Sequence, residues 1–276
     1  MNKQTSRQAV HDVLIILPAV ALGAAAMISA GVSPVLWAQQ IAAYAVFVLP
    51  AVWLRGAARK TPAAVCAAAL MCMLAASLFG AEAGGARRWV DLGIFNVNAA
   101  MLTLPALIVL LQGMACPYPA ALCAAAILAF QPDASQLTAF SAAAAAMLWK
   151  RRRSPRWSAV CLLALAACML RCFSVPVYME PVSYSEGVLS LLGQISPLTA
   201  IAGGFALAVI PGYWAYRFAV TKDVCALSLA VYYAAAMAFG LSGEYPVPFM
   251  GFGLSPVAGY GLAALVMPGS EEEQEK

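Results

Sequence analysis

Ten apolar stretches follow one another along the chain, each 15 to 22 residues long and parted by short polar gaps. They fall at 12–31, 35–54, 62–80, 98–114, 117–131, 134–149, 157–173, 196–217, 223–241 and 252–268. A helix needs roughly 20 apolar residues to cross a bilayer, and lipid offers the backbone no hydrogen bonds, which favours helices over open strands. Of the 276 residues, 63% are hydrophobic and only 10% charged, against about 25% charged in soluble domains. The fold expected is an all-α integral membrane protein, a polytopic bundle of about ten transmembrane helices. The first apolar stretch has no small-residue cleavage site and is followed at once by another, so it reads as a span and not a leader.

Basic residues set the orientation. With the amino terminus inside, the cytoplasmic segments hold Lys3, Arg7, Arg55, Arg59, Lys60, Lys150, Arg151, Arg152, Arg153, Arg156, Arg217, Lys222 and Lys276, which is 13 of the 16 Lys and Arg. Only Arg87, Arg88 and Arg171 fall outside, as the positive-inside rule requires. Both termini are then cytoplasmic, with one transmembrane domain over 1–268 and a short acidic tail at 269–276. The net charge of +4 gives no basis for nucleic-acid binding. The eight cysteines lie in or beside apolar runs and read as small buried hydrophobes. A lone histidine, His11 in the amino-terminal segment, argues against a histidine-built metal site.

The outer side collects the unusual residues. Its loops carry Arg87, Arg88, Asp91, Asp133, Glu180, Glu186 and Glu244 and are rich in Gly and Pro. Asp133 stands out, because it follows Pro132 between two apolar runs. A carboxylate at bilayer depth is costly and is a functional candidate by default. It is also a preferred N-cap for the run that follows, and the two roles are compatible. Arg87 and Arg88 suit either an anionic ligand, through bidentate hydrogen bonding, or snorkelling to the headgroups. Trp89 suits an interfacial anchor, and the outer glutamates suit solvated loops.

Three segments in order resemble one family. "GGARRWVDLGIFNVN", "QPDAS" and "YPVPFMGFGLS" are similar to the outer-loop motifs of the shape, elongation, division and sporulation (SEDS) proteins. The matching residues are Gly85, Ala86, Arg87, Arg88, Trp89, Leu92, Gly93 and Phe95, then Gln131, Pro132 and Asp133, then Pro246, Pro248, Phe249, Gly253 and Ser255. The chain resembles a short, divergent member. The resemblance implies a peptidoglycan glycosyltransferase of the bacterial plasma membrane, serving division, elongation or sporulation. It would polymerise lipid II at the outer leaflet beside a class B penicillin-binding protein. It places the catalytic role on Asp133, which as general base would take the proton of an acceptor hydroxyl. Arg87 and Arg88, with Trp89 and Gln131 beside them, would meet the lipid pyrophosphate. No ligand cluster for a cofactor is visible, and a divalent metal ion at the pyrophosphate is the one candidate.

The sequence also departs from the family pattern. A family Glu, and a Lys three residues on, are lost from a stretch that here reads Asn98, Ala99, Ala100, Met101 and, further on, Leu104. Ser135 and Gln136 replace Gly and Thr/Ser after the aspartate. Two alternatives therefore stand beside the enzyme: a catalytically degenerate scaffold or regulator of wall synthesis, and a flippase or transporter of lipid-linked precursors.

Overall fold

A computed structural model describes residues 3–54, 61–93, 95–151 and 154–267. Arg55, Arg59, Lys60, Arg152, Arg153, Lys276 and the tail at 269–276 lie outside the described residues. Helical structure falls on each of the ten apolar stretches. The first is covered by α1 (Lys3–Leu14) and α2 (Leu17–Ser29), the second by α3 (Pro34–Ala43), a π-helical turn at Tyr44–Val48 and α4 (Ala51–Leu54). Then come α5 (Ala63–Ala76), α6 (Ala99–Gly113), α7 (Tyr118–Phe130), α8 (Ala134–Arg151) and α9 (Pro155–Phe173). The chain continues through α10 (Val188–Ile195), α11 (Pro197–Thr221), α12 (Val224–Gly240) and α13 (Ser255–Val266). Gln8–Ser29, α9 and α11 are each long and apolar enough to cross a membrane.

Local chemistry explains the boundaries. Pro18, Pro34, Pro155, Pro197 and Pro256 sit in first turns, where a missing N–H costs nothing. Asp223 caps α12 by accepting from the amides of Cys225 at 2.8 Å and Ala226 at 3.3 Å. Ser196 and Thr199 form a reciprocal capping box on α11. Asn98 caps α6 through the Met101 amide at 3.0 Å.

Two elements lie in segments expected as outer loops. The outer loop folds into an antiparallel hairpin, β1 (Trp89–Asp91) and β2 (Asn96–Asn98), with Trp89 opposite Asn98 and Asp91 opposite Asn96. Asp91 accepts from the Gly93 amide at 2.7 Å, with Gly93 at φ +86°, so side chain and glycine turn the chain together. Three-residue strands leave too little alternation for a pattern to show. The other addition is α10, a short helix in the segment expected as outer loop.

The interior is built from α6, α8, α12 and α13, with α8 packed most extensively against α12 and α6 against α13. On α9 only Cys161, Leu165 and Cys172 are buried, one narrow stripe packed toward α7 and α8. Around the outside, Trp53, Phe79, Leu163, Leu170, Leu198 and Phe205 are exposed. A belt of that size on α4, α9 and α11 suits lipid, since soluble monomers rarely expose large apolar patches. Small residues allow the closest approaches within.

Arg217, counted above with the cytoplasmic segments, is buried and paired with Asp12 at 3.0 Å. Tyr213 also donates to the Asp12 carboxylate, and Tyr260 to its backbone carbonyl, so α1, α11 and α13 meet at one polar knot.

A Cβ on Gly259 would lie 2.1 Å from the Met101 carbonyl oxygen. Gly259→Ala is therefore expected to destabilise the protein by about 1–3 kcal/mol through overpacking. A Cβ on Gly204 meets nothing within 4 Å, so Gly204→Ala is expected to cause no loss. Thermal unfolding in detergent compares the two.

Candidate functional site

The site starts at the corner between α7 and α8. Pro132 brings no N–H and cannot continue α7 as a regular helix. Gln131 and Asp133 close the turn by donating from their amides to Ile127 at 2.9 Å and Leu128 at 3.3 Å. Asp133 then opens α8. Its Oδ1 accepts from Ser135 Oγ at 3.0 Å and from the Gln136 amide at 3.3 Å. The carboxylate is thus an N-cap, and it is 1% exposed.

A cap alone would not hold a buried charge. Arg88, 5% exposed, supplies the counter-charge, with Nε 3.6 Å from Asp133 Oδ2. That distance makes an ion pair without a hydrogen bond. The guanidinium lies over the Tyr245 ring at 5.6 Å, and Nη1 is 3.9 Å from Met179 Sδ. Arg88 Nε itself has no hydrogen-bond partner. Burial pushes the Tyr245 hydroxyl up from its ordinary value, and nearby Arg88 opposes this.

Asp133 and Arg88 line a cavity of about 420 Å³, within the size range of small-molecule sites. Four loops expected on one side of the membrane gather around it. The Tyr178 amide donates to Gly84 O at 3.0 Å, and that of Arg87 to Gln131 O at 3.3 Å. The Val247 amide reaches Ser185 O at 3.3 Å, and the Phe252 amide reaches Tyr184 O at 2.9 Å. A Cβ on Gly251 would lie 2.5 Å from Ser185 O, so glycine is what lets these loops touch. Ser255 Oγ accepts from the Asn98 amide at 2.9 Å, joining α13 to the hairpin. All three motif segments therefore contribute walls to one cavity, through Arg88 and Trp89, Asp133, and Pro246, Phe252, Gly253 and Ser255.

The five residues singled out in the sequence have different fates. Asp133, Arg88 and Trp89 line the cavity. Arg87 does not: it is half exposed, its Nε and Nη2 reach Glu82 Oε2 at 3.3 and 3.2 Å, and its Nη1 reaches Leu78 O at 3.1 Å. Gln131 is fully buried but turns away toward α5, its amide donating to Leu74 O at 2.9 Å and to Ser77 Oγ. It anchors the corner and does not line the cavity. Glu82, five residues before Arg87, carries no sequence signal of this pairing. Asn96, Tyr184 and Ser185, also in the lining, carried no signal beyond lying in outer loops.

Met101, at one of the two positions read as departing from the family pattern, lines the cavity, and Leu104, at the other, is fully buried. No group of three or more His, Cys, Asp or Glu gathers as a metal site among the described residues. The lining carboxylates are Asp133, already committed to Arg88, Ser135 and Gln136, and Glu186, which accepts from the Val182 amide at 2.8 Å. These residues do not assemble a resident metal site. Chemically, the cavity offers one buried carboxylate, one buried cation beside it, and a wall of amides, hydroxyls and aromatic rings.

No family model and no curated protein matches the chain. Solved structures do. An aspartate-to-alanine mutant of RodA, the rod shape determining protein of Thermus thermophilus, superposes with a TM-score of 0.64 at 22% identity, covering 92% of this chain and 95% of that one. RodA without that substitution gives 0.62 at 23%, covering 92% and 94%. A chain from a peptidoglycan synthase complex, whose structure concerns the coordination of polymerisation and crosslinking, gives 0.59 at 21%, covering 92% and 96%. At these identities the likeness is one of fold: the chain has the fold of RodA.

The two adjacent arginines should separate in stability measurements. Arg88→Ala leaves the Asp133 carboxylate buried without its counter-charge and is expected to cost about 3–5 kcal/mol. Arg87→Ala breaks an exposed pair and is expected to change stability by less than about 1 kcal/mol. Equal melting shifts would contradict the assignment of Arg88 alone to the buried pair.

Proposed function

We propose that the chain is a SEDS-type protein of bacterial cell-wall synthesis that polymerises lipid II, with Asp133 as general base. The observation that carries this is the buried Asp133 carboxylate, set beside Arg88 in the wall of a cavity that the three motif segments share, in a chain with the RodA fold. In the proposed step, Asp133 accepts the proton of an acceptor sugar hydroxyl as its oxygen attacks the anomeric carbon of the donor. The anomeric C–O bond to the lipid pyrophosphate breaks, and the pyrophosphate leaves with the bonding electrons. Arg88, with an unpartnered Nε, is suited to stabilise that developing charge. General-base catalysis of this kind contributes about 10²–10⁴-fold. No step is assigned to a metal ion.

The setting we propose is the bacterial plasma membrane, crossed about ten times, with both termini cytoplasmic and the cavity at the outer leaflet. The basic residues support that orientation, and the gathering of the four loops at one end of the bundle agrees with it. A class B penicillin-binding protein is the proposed partner, because one chain of the same fold comes from a complex of polymerisation with crosslinking. A second reading, a non-catalytic scaffold of wall synthesis, is favoured by Met101 in the cavity lining and the buried Leu104, which stand where the resembling family has Glu and Lys.

Lipid II polymerisation by the purified protein in liposomes, with and without the cognate penicillin-binding protein, decides between them. Asp133→Asn is the informative variant, because asparagine keeps the N-cap and removes the base. Glycan chains from the wild type that fall at least about 100-fold in Asp133→Asn are the expected result. A folded wild type that makes no chains with its partner present would leave the scaffold reading.

A further inference from the structure

We propose that Tyr232 on α12 is a positioning residue for the Asp133 carboxylate, acting through Gln136. This rests on the general-base role assigned to Asp133 above. Gln136 is polar yet 1% exposed, and it lies in the first turn of α8. Its side-chain oxygen accepts from the Tyr232 hydroxyl at 2.6 Å, a bond between residues 96 apart in sequence. Tyr232 is 3% exposed, and its ring is held edge-on to Tyr233 at 5.1 Å. The first turn of a helix is where backbone amides lack partners of their own. Here that turn must present the Gln136 amide and the Ser135 hydroxyl to Asp133 Oδ1.

The geometry around Asp133 makes this tie matter. Its ion pair with Arg88 is 3.6 Å long, too long to fix the carboxylate's direction by hydrogen bonding. Direction therefore comes from α8, and the Gln136 amide bond, at 3.3 Å, is already near the limit of useful length. A small rotation of the turn would break it. The Tyr232 bond to Gln136 resists that rotation from α12, in a low-dielectric interior where hydrogen bonds are stronger than in water.

The test compares Tyr232→Phe, Gln136→Leu and the double variant. In lipid II polymerisation, each single change is expected to lower kcat about tenfold with KM changed less than about twofold. The double variant is expected to be no slower than the slower single one, because both remove one tie. Unchanged kcat, or multiplying losses, would overturn the proposal. A readout independent of turnover is the carboxylate stretch of Asp133 in difference infrared spectra, assigned by its loss in Asp133→Asn. The band is expected to move in Tyr232→Phe and, should that variant not fold, in Gln136→Leu. An unmoved band overturns the proposal even if polymerisation falls. A band that moves in the variant, where the wild type itself polymerises nothing, upholds the positioning and removes only the general-base reading.

Discussion

The contact on which the site depends is the buried pair of Arg88 and Asp133. Each charge alone would be expensive among apolar helices, and together they offset that cost only if the surrounding groups hold them in place. Arg88 arrives from the start of the hairpin, Asp133 from the corner between α7 and α8, and Tyr245 covers the guanidinium from the loop before α13. Moving the hairpin or the corner would strand a charge, and moving the Tyr245 loop would uncover the guanidinium. The hairpin, the proline corner and the glycine contacts of the outer loops can therefore be understood together, as the scaffold for one ion pair at the wall of one cavity.

A second polar knot lies where α1, α11 and α13 meet, with Asp12 and Arg217 at its centre. Trp214 stacks under the guanidinium at 5.1 Å, and Tyr213 and Tyr260 donate to Asp12. The two pairs differ in kind. Arg217 hydrogen-bonds both oxygens of Asp12, at 3.0 and 3.1 Å. Arg88 stands off from Asp133 and faces a cavity. A satisfied pair is suited to hold helices together, while a loosely held one beside open space can exchange its partner for a ligand.

The bundle around these knots is assembled by shape more than by polarity. Between apolar helices in lipid, packing and hydrogen bonds do the work that water does for soluble cores. Gly23, Gly259 and Gly261 each let a backbone carbonyl of another segment come closer than any side chain would allow. Within α6, Met101 and Leu104 are buried by apolar packing of the same kind.

The sequence by itself determined the helices and the corner. Apolar runs separated by polar gaps leave the backbone little choice but helix, and Pro132 followed by Asp133 both stops α7 and caps α8. It also marked Asp133, since a lone carboxylate among apolar residues must find a partner. Which partner was not legible. Arg87 and Arg88 are neighbours with identical chemistry, but successive side chains of an extended segment point to opposite faces, so one reaches Asp133 and the other Glu82. Gln131 shares a motif with Asp133, yet the turn at Pro132 sends it toward α5. The tie from Tyr232 to Gln136 spans most of a hundred residues and leaves no local pattern. Local propensity and polarity are written along the chain. Which faces meet across it is decided only when the helices pack.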